Sequence, residues 1–423
     1  MIALTDNFNQ VSMHDPSQEI IDLYKHIPEI TEQDNRNEII CRPLFSHSSL
    51  PNVLGIQELR IEDFKFDRPF SYFVHVHHNQ KLWTKNLDVI PTKILNEVRK
   101  GNCKLIFDNT LEGQRIDGEF FLEPFYKSLD DLKLPTKDIH FVTNNLVAEK
   151  THQEYHRVDK INVISVMWNV FDVQRLKQER HLPLKVSADM EYKYKSVNIF
   201  KMKHFLKLNR TNRSERDIFM LFLNFEKLFD KCLVSFPELH KWPDYSSQFY
   251  KYTQQENIND LKSKLPFDID ETDKTNHGPA GIGKGFFDAD LPFNPTHYRN
   301  SFISIVMCAM AYDENAYHLH SSTFNPIYCG HPIIQFGPHK SLEVMKQYGF
   351  KTFDKWWDES YDDEPNGVKR LQMVMDLVLK ISQYDEKDLL HMYNDMKETL
   401  QHNIDIIENY DVKTNLYNRI YND

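Results

Sequence analysis

The sequence predicts an α/β protein built from two Rossmann-like units and closed by helices, on three observations. Short apolar runs of strand length alternate with helical stretches in both halves of the chain. A polar stretch, Glu191 to Lys201, interrupts that alternation and marks a boundary. The last part carries helical apolar stripes only. The expected organisation is a first unit over 1–195, a second over 196–400 and a helical tail over 401–423.

The elements follow in order. Tyr72–His77 reads as a strand. Pro91–Lys100 reads as a helix, with Gly101 just beyond its end. Cys103–Asp108 (CKLIFD) is a buried strand pattern, and Glu119–Leu132 a helix ended by Pro135. Asp138–Asn144 and Ile161–Trp168 read as further strands. Lys203–Leu208 opens the second unit. Its helix carries Ile218, Leu221, Phe222, Phe225, Leu228 and Phe229 as an apolar stripe. Phe302–Met307 and the Gly-bounded run His331–Gly337 are strands. Ser341–Gln347 is a short helix stopped by Gly349. Leu371, Val374, Met375, Val378 and Ile381 form one closing stripe, and Leu389, Tyr393, Met396, Leu400 and Ile404 the next, both read as core packing.

Composition narrows the class. The chain of 423 residues is 40% hydrophobic and 27% charged, which is ordinary for a globular protein with a sizeable core. Its 12 glycines fall well short of the usual share of about 7%, which argues against Gly-rich linkers. The five cysteines are widely spaced with no CxxC pair, so neither a zinc site nor a disulfide framework is expected, and a reducing cytoplasm fits. The opening residues carry no basic n-region and no long apolar h-region, so a signal peptide is not expected. The longest apolar run, Phe302 to Tyr312, is shorter than the ~18 residues a membrane span needs. A net charge of −11 argues against a nucleic-acid coat while leaving room for a local basic groove.

The chemistry concentrates in a few places. Leu208-Asn209-Arg210-Thr211-Asn212-Arg213-Ser214-Glu215-Arg216-Asp217 runs from a strand through a polar loop into a helix. Ser214 and Asp217 fit an S-x-x-D helix start, whose open N–H groups favour an anion. Arg210, Arg213 and Arg216 add forked donors suited to phosphate oxygens. A capped helix with solvated arginines is the competing reading. At Ser321 to Ile327, the hydroxyls and amide of Ser322, Thr323 and Asn325 could bond sugar hydroxyls, or simply cap and pack a segment. The cluster Asp358-Glu359-Ser360-Tyr361-Asp362 reads as structural, with a ligand contact through Tyr361 as the alternative. Asp108 and Glu112 follow a sheet strand at its C-terminal end, where a catalytic carboxylate could stand, or Asp108 could cap the next turn. Asn144 and Asn145 follow the next strand, where they could bind an acceptor or simply form a turn. His75, His77 and His78 lack an acidic or cysteine partner at a telling spacing, so no metal is expected. Gly278 to Gly285 lacks the spacing of a phosphate loop.

The order and spacing of these motifs resemble the GT-B-like glycosyltransferases carried by tailed phages and large marine viruses. The likeness covers Lys203 to Ile381, rests most on Thr323 to Asp362, and extends more distantly to the donor half of fucosyltransferases. In that family an L-N-R followed by R-x-x-R opens the C-terminal domain. Here these are Leu208-Asn209-Arg210 and Arg213 to Arg216, with Glu215 where the family often has His. Many relatives carry T-E-K-T-x-K-P-I where this chain has His320, Ser321, Ser322, Thr323 and Asn325, so the charged Glu-Lys pair is missing. The first half agrees in strand order and in the D-N-x-x-E-G segment from Asp108 to Gly113.

The resemblance implies a cytoplasmic, metal-independent, virus-encoded glycosyltransferase of GT-B-like architecture, its two Rossmann-like domains facing across a cleft. The donor would be a nucleotide-sugar, UDP-linked by expectation, held by Asn209, Arg210, Arg213, Ser214, Arg216, Ser322, Thr323, Asn325 and Tyr361. Asp108 or Glu112 would act as base. The implied acceptor is 5-hydroxymethylcytosine in phage DNA. A glycan acceptor, or an inactive relative that only binds nucleotide-sugar, are the alternatives. No further cofactor and no membrane partner are expected, and oligomeric state is left open.

Overall fold

The computed structural model describes residues 2–5, 50–60, 64–75, 87, 90–110, 113, 115–170, 173–174, 202–209, 213–239, 247–269, 295–308, 311–312 and 316–422. Glu112, Arg210, His77, His78, the stretch from Glu191 to Lys201 and the Gly278–Gly285 segment lie outside them. The boundary expected at 195/196 falls there too. The chain forms two α/β units, one of residues 1–168, 315–318 and 411–423, the other of 169–314 and 319–410. The helical tail expected over 401–423 is therefore divided between them.

In the first unit, β1 (Ile2–Thr5), β2 (Gln57–Arg60), β3 (Phe70–His75), β4 (Cys103–Asn109), β5 (Ile139–Thr143) and β6 (Asn162–Ser165) make a six-stranded sheet of order β2-β1-β3-β4-β5-β6. Every pairing is parallel. Parallel strands are covered on both faces, which is why β4 and β5 read as continuous apolar runs rather than alternating ones. The helices between them are α1 (Leu50–Leu54), α2 (Thr92–Arg99), α3 (Glu123–Asp131) and α4 (Ala148–Glu154). Gly101, at φ +76°, ends α2 in the left-handed conformation that a Cβ would resist. The helix expected over Glu119–Leu132 begins instead as a π-turn, Gly118–Leu122, and becomes α-helical at Glu123. Its Phe121 and Phe125 stack at 5.2 Å and meet Phe141 and Phe107 of the sheet, forming the centre of this core.

In the second unit, β7 (Lys203–Leu208), β8 (Cys232–Ser235), β9 (Ser301–Met307) and β10 (Ile333–Phe336) form a four-stranded sheet of order β10-β9-β7-β8, again parallel throughout. Around them lie α5 (Ser214–Phe225), α6 (Gln255–Lys264), α7 (Pro295–Arg299), α8 (Ser321–Tyr328), α9 (Ser341–Gln347), α10 (Gly367–Ile381), α11 (Glu386–Asp395) and α12 (Lys397–Asn409). The last helix, α13 (Val412–Tyr421), belongs to the first unit.

Two expectations need correction. The second closing stripe is two helices, because the chain breaks at Met396 between α11 and α12. The stripe of α5 is wider than expected. Ile218 to Asn224 are all buried, so this helix has no solvent face over that stretch, while Phe225 is exposed and Leu228 lies beyond its end.

The order of the second sheet matters most. The chain runs from β7 to β8 on one side, then crosses to β9 on the other. The turns leaving β7 and β9 therefore diverge, and the gap between them at the strand C-termini is a topological switch point.

Candidate functional site

The switch point holds a buried polar nest. Lys207 is the last inward residue of β7 and is 1% exposed. Its Nζ donates to Asn209 Oδ1 at 2.8 Å. Burial first, and then the Arg216 charge, hold its amine well below the usual lysine range. Asn209 is 2% exposed, and its Nδ2 has no hydrogen-bond acceptor among the described residues. Arg216, in the first turn of α5, is half-buried, with its guanidinium drawn inward so that Nη2 donates to the Met307 carbonyl at 3.0 Å. That bond bridges the two diverging turns of the switch point. Burial, with Arg213 nearby, brings its guanidinium down to about 10. Cys308, just past β9, is the common neighbour of Lys207, Arg216, Thr323 and Asp362. Burial pushes its thiol up to about 11, so it stays protonated and serves as packing.

Basic groups drawn into an interior are expensive unless anions offset them, and the buried Glu215 carboxylate acts on both Lys207 and Arg216. The nest supplies an ammonium, a guanidinium and an open amide N–H at a strand-to-helix turn. That donor set suits phosphate oxygens.

The helix start itself differs from the S-x-x-D reading. Ser214 is already helical, so Arg213 occupies the cap position, with extended backbone and no side-chain cap bond. The Arg213 carbonyl takes the N–H groups of Arg216 and Asp217, and Asp217 is fully buried. Arg213 itself is exposed at the edge of the nest.

The other expected donor residues scatter. Ser322 is exposed on the first turn of α8, while Thr323 is fully buried beside Cys308. Asn325 is buried one turn on, with Oδ1 lacking a partner. Tyr361 is buried. Its neighbour Asp362 serves α9, accepting from Ser341 Oγ at 3.0 Å and Leu342 N at 2.8 Å. Glu359 accepts from the Phe353 amide, and burial raises its carboxyl to about 7. The acidic cluster thus anchors loops.

In the first unit, Asp108 caps its own turn. Its Oδ1 accepts from Thr110 N at 3.1 Å and Thr110 Oγ1 at 2.7 Å. Asn144 Oδ1 takes the Trp168 amide, which leaves Nδ2 to donate to His318 Nε2 at 2.8 Å. Asn145 Oδ1 receives the Val147 and Tyr317 amides. Gly113 is needed for close approach, since a Cβ there would lie 2.3 Å from His318 Cβ.

The nest therefore joins Asn209, Arg216 and Thr323 and adds Lys207 and Cys308, which sequence reasoning missed. A signal for Lys207 existed: a lysine set among the apolar residues of a parallel-sheet strand, where both faces are covered. Gln335 of β10 was also missed. It is 0% exposed, and neither amide atom is paired among the described residues. Among the described residues, no helix is long and apolar enough to cross a membrane.

No family model and no curated protein matches this chain. Among solved structures it is similar to the N-terminal domain of trehalose-6-phosphate phosphatase from Candida albicans, at 10% identity over 85% of this chain and 72% of that one, with a TM-score of 0.34.

Proposed function

We propose that the chain is a glycosyltransferase of GT-B-like architecture that binds a nucleotide-sugar, UDP-linked by expectation, at the switch point of its second unit. The observation that carries this reading is the buried Lys207–Asn209–Arg216 nest, two cations and an open amide at the turn where α/β sheets hold phosphates. In the reaction, the acceptor oxygen bonds to the anomeric carbon as the bond from that carbon to the β-phosphate breaks. The acceptor proton passes to a base, for which Asp108 and Glu112 are the candidates. The nest would stabilise charge gathering on the departing diphosphate.

The acceptor proposed is 5-hydroxymethylcytosine in phage DNA, reached in the host cytoplasm. It rests on the family resemblance alone. Arg157 and Lys160 of the first unit are tied to Asp130 and to backbone carbonyls. That leaves fewer cations for a duplex, so binding is expected to be weak and salt-sensitive. Nucleoside mass spectrometry after incubation with hydroxymethylated DNA and mixed nucleotide-sugars tests it. A sugar-sized gain on hydroxymethylcytosine supports the reading, and a gain on an oligosaccharide acceptor instead replaces it.

A second reading, an inactive nucleotide-sugar binder, is favoured by one arrangement. The Asp108 carboxylate is engaged by its own turn, and the charged pair of the relatives is missing at Ser321-Ser322. A panel of nucleotide-sugars scored for both thermal stabilisation and hydrolysis separates the two, since a binder gives the first without the second.

A further inference from the structure

Tyr312 stands out at the edge of the nest. It is an aromatic residue 48% exposed in a unit whose other large rings are mostly buried. Its position is held from several sides. Phe336, the last residue of β10, meets it edge-on at 5.8 Å. Gly367, the first residue of α10, approaches so closely that a Cβ would lie 2.3 Å from Tyr312 Cδ1 and 2.7 Å from Cε1. Desolvation first, and then the nearby Glu215 carboxylate, push the Tyr312 phenol up. Glu215 links the ring to the nest, because it acts electrostatically on Lys207, Arg216 and Tyr312 alike. The ring is thus held between Phe336 and Gly367 and is still half-exposed, beside the nest.

A ligand that fits both features has an anionic part and a flat π-face. We propose that Tyr312 is the stacking platform for the nucleobase of a nucleotide whose phosphates occupy the Lys207–Asn209–Arg216 nest. The inference rests on the anion-binding reading of that nest and adds the recognition of the base. Base–aromatic stacking tolerates different bases, since each has a π-face. The platform accordingly predicts affinity for nucleoside diphosphates as a class, with weak preference among uracil, adenine and guanine.

The test is calorimetric titration of the full chain with UDP, ADP, inorganic pyrophosphate and ribose 5-phosphate. Tyr312→Ala is expected to weaken UDP and ADP about 5- to 100-fold while leaving pyrophosphate unchanged. Tyr312→Phe should keep nucleotide affinity, because the ring and not the hydroxyl does the stacking. Gly367→Ala should mimic Tyr312→Ala by displacing the ring. Near-ultraviolet circular dichroism checks that each variant is folded. Equal losses for UDP and pyrophosphate, or no loss for either, overturn the platform while leaving the nest intact. A loss for ribose 5-phosphate as large as that for UDP overturns it in favour of sugar packing. If wild type binds neither pyrophosphate nor nucleotide, the nest reading falls and the platform falls with it.

Discussion

At the scale of single residues, Lys207 separates function from stability. Its amine is buried with one neutral hydrogen-bond acceptor, Asn209, and burial outweighs the pull of the Glu215 carboxylate, so the folded chain carries a desolvation cost that an apolar side chain of similar length would not. Lys207→Met is expected to leave Tm unchanged or raised, and to weaken pyrophosphate and UDP at least tenfold by calorimetry. A lower Tm with unchanged affinity would make the nest structural. Glu359 gives a pH signature. Its carboxyl titrates at about 7 in the folded chain against 4.5 for the ordinary group. The folded state therefore keeps a proton that the unfolded chain releases across that window. Stability should fall as pH rises from about 4.5 to 7, by about 1–3 kcal/mol. His140 and His152 have the opposite sign, because burial depresses both to about 4, and they withdraw stability as pH falls below 6.5. Urea midpoints of Glu359→Gln and wild type, compared at each pH, isolate the glutamate. A constant difference across the window refutes the assignment.

At the scale of elements, a helix start can be made by a residue far along the chain. α9 follows Lys340, which sits at φ +65°, and the helix has no side-chain cap of its own at that position. Asp362 supplies the acceptor instead, taking Ser341 Oγ and Leu342 N. Asp362→Ala is expected to cost about 1–3 kcal/mol in urea unfolding, since it leaves buried donors without a partner. A cost under 0.5 kcal/mol would show that the bonds contribute little. By contrast α11 is capped locally, by a box of Asp385 and Asp388. The Asp385-x-x-Asp388 box is visible in the sequence, whereas Lys340 at the start of α9 offers no such signal, so one cap is local and the other tertiary. The S-x-x-D motif at Ser214 is the converse case, a local signal one residue out of place, since Ser214 is already helical and Arg213 holds the cap position.

At the scale of the whole molecule, the first unit is completed by the chain's last helix. α13 packs on α1, its Tyr421 hydroxyl lies 3.0 Å from Ser71 Oγ, and Asn162 Nδ2 donates to the Arg419 carbonyl. Arg419 also pairs with Glu149. Deleting 411–423 is expected to make the first unit protease-sensitive while the second keeps its core. Limited proteolysis read by mass spectrometry checks this, and simultaneous loss of both units would contradict it.

The sequence by itself determined the alternation of strands and helices, and placed β7, β9, β10 and α9 within a residue or two of their observed ends. Those signals are local, carried by apolar runs and by breakers such as Gly101 and Gly349. It also singled out Asn209, Arg216 and Thr323, because a polar strand-to-helix loop and a helix start are visible in one dimension. Only the tertiary structure decided the strand order β10-β9-β7-β8, and with it the switch point. Strand order is set by which apolar faces can be covered together, and no short stretch of sequence encodes that. The same long-range packing buried Lys207, brought Arg216 to the Met307 carbonyl, and left Tyr312 exposed between Phe336 and Gly367.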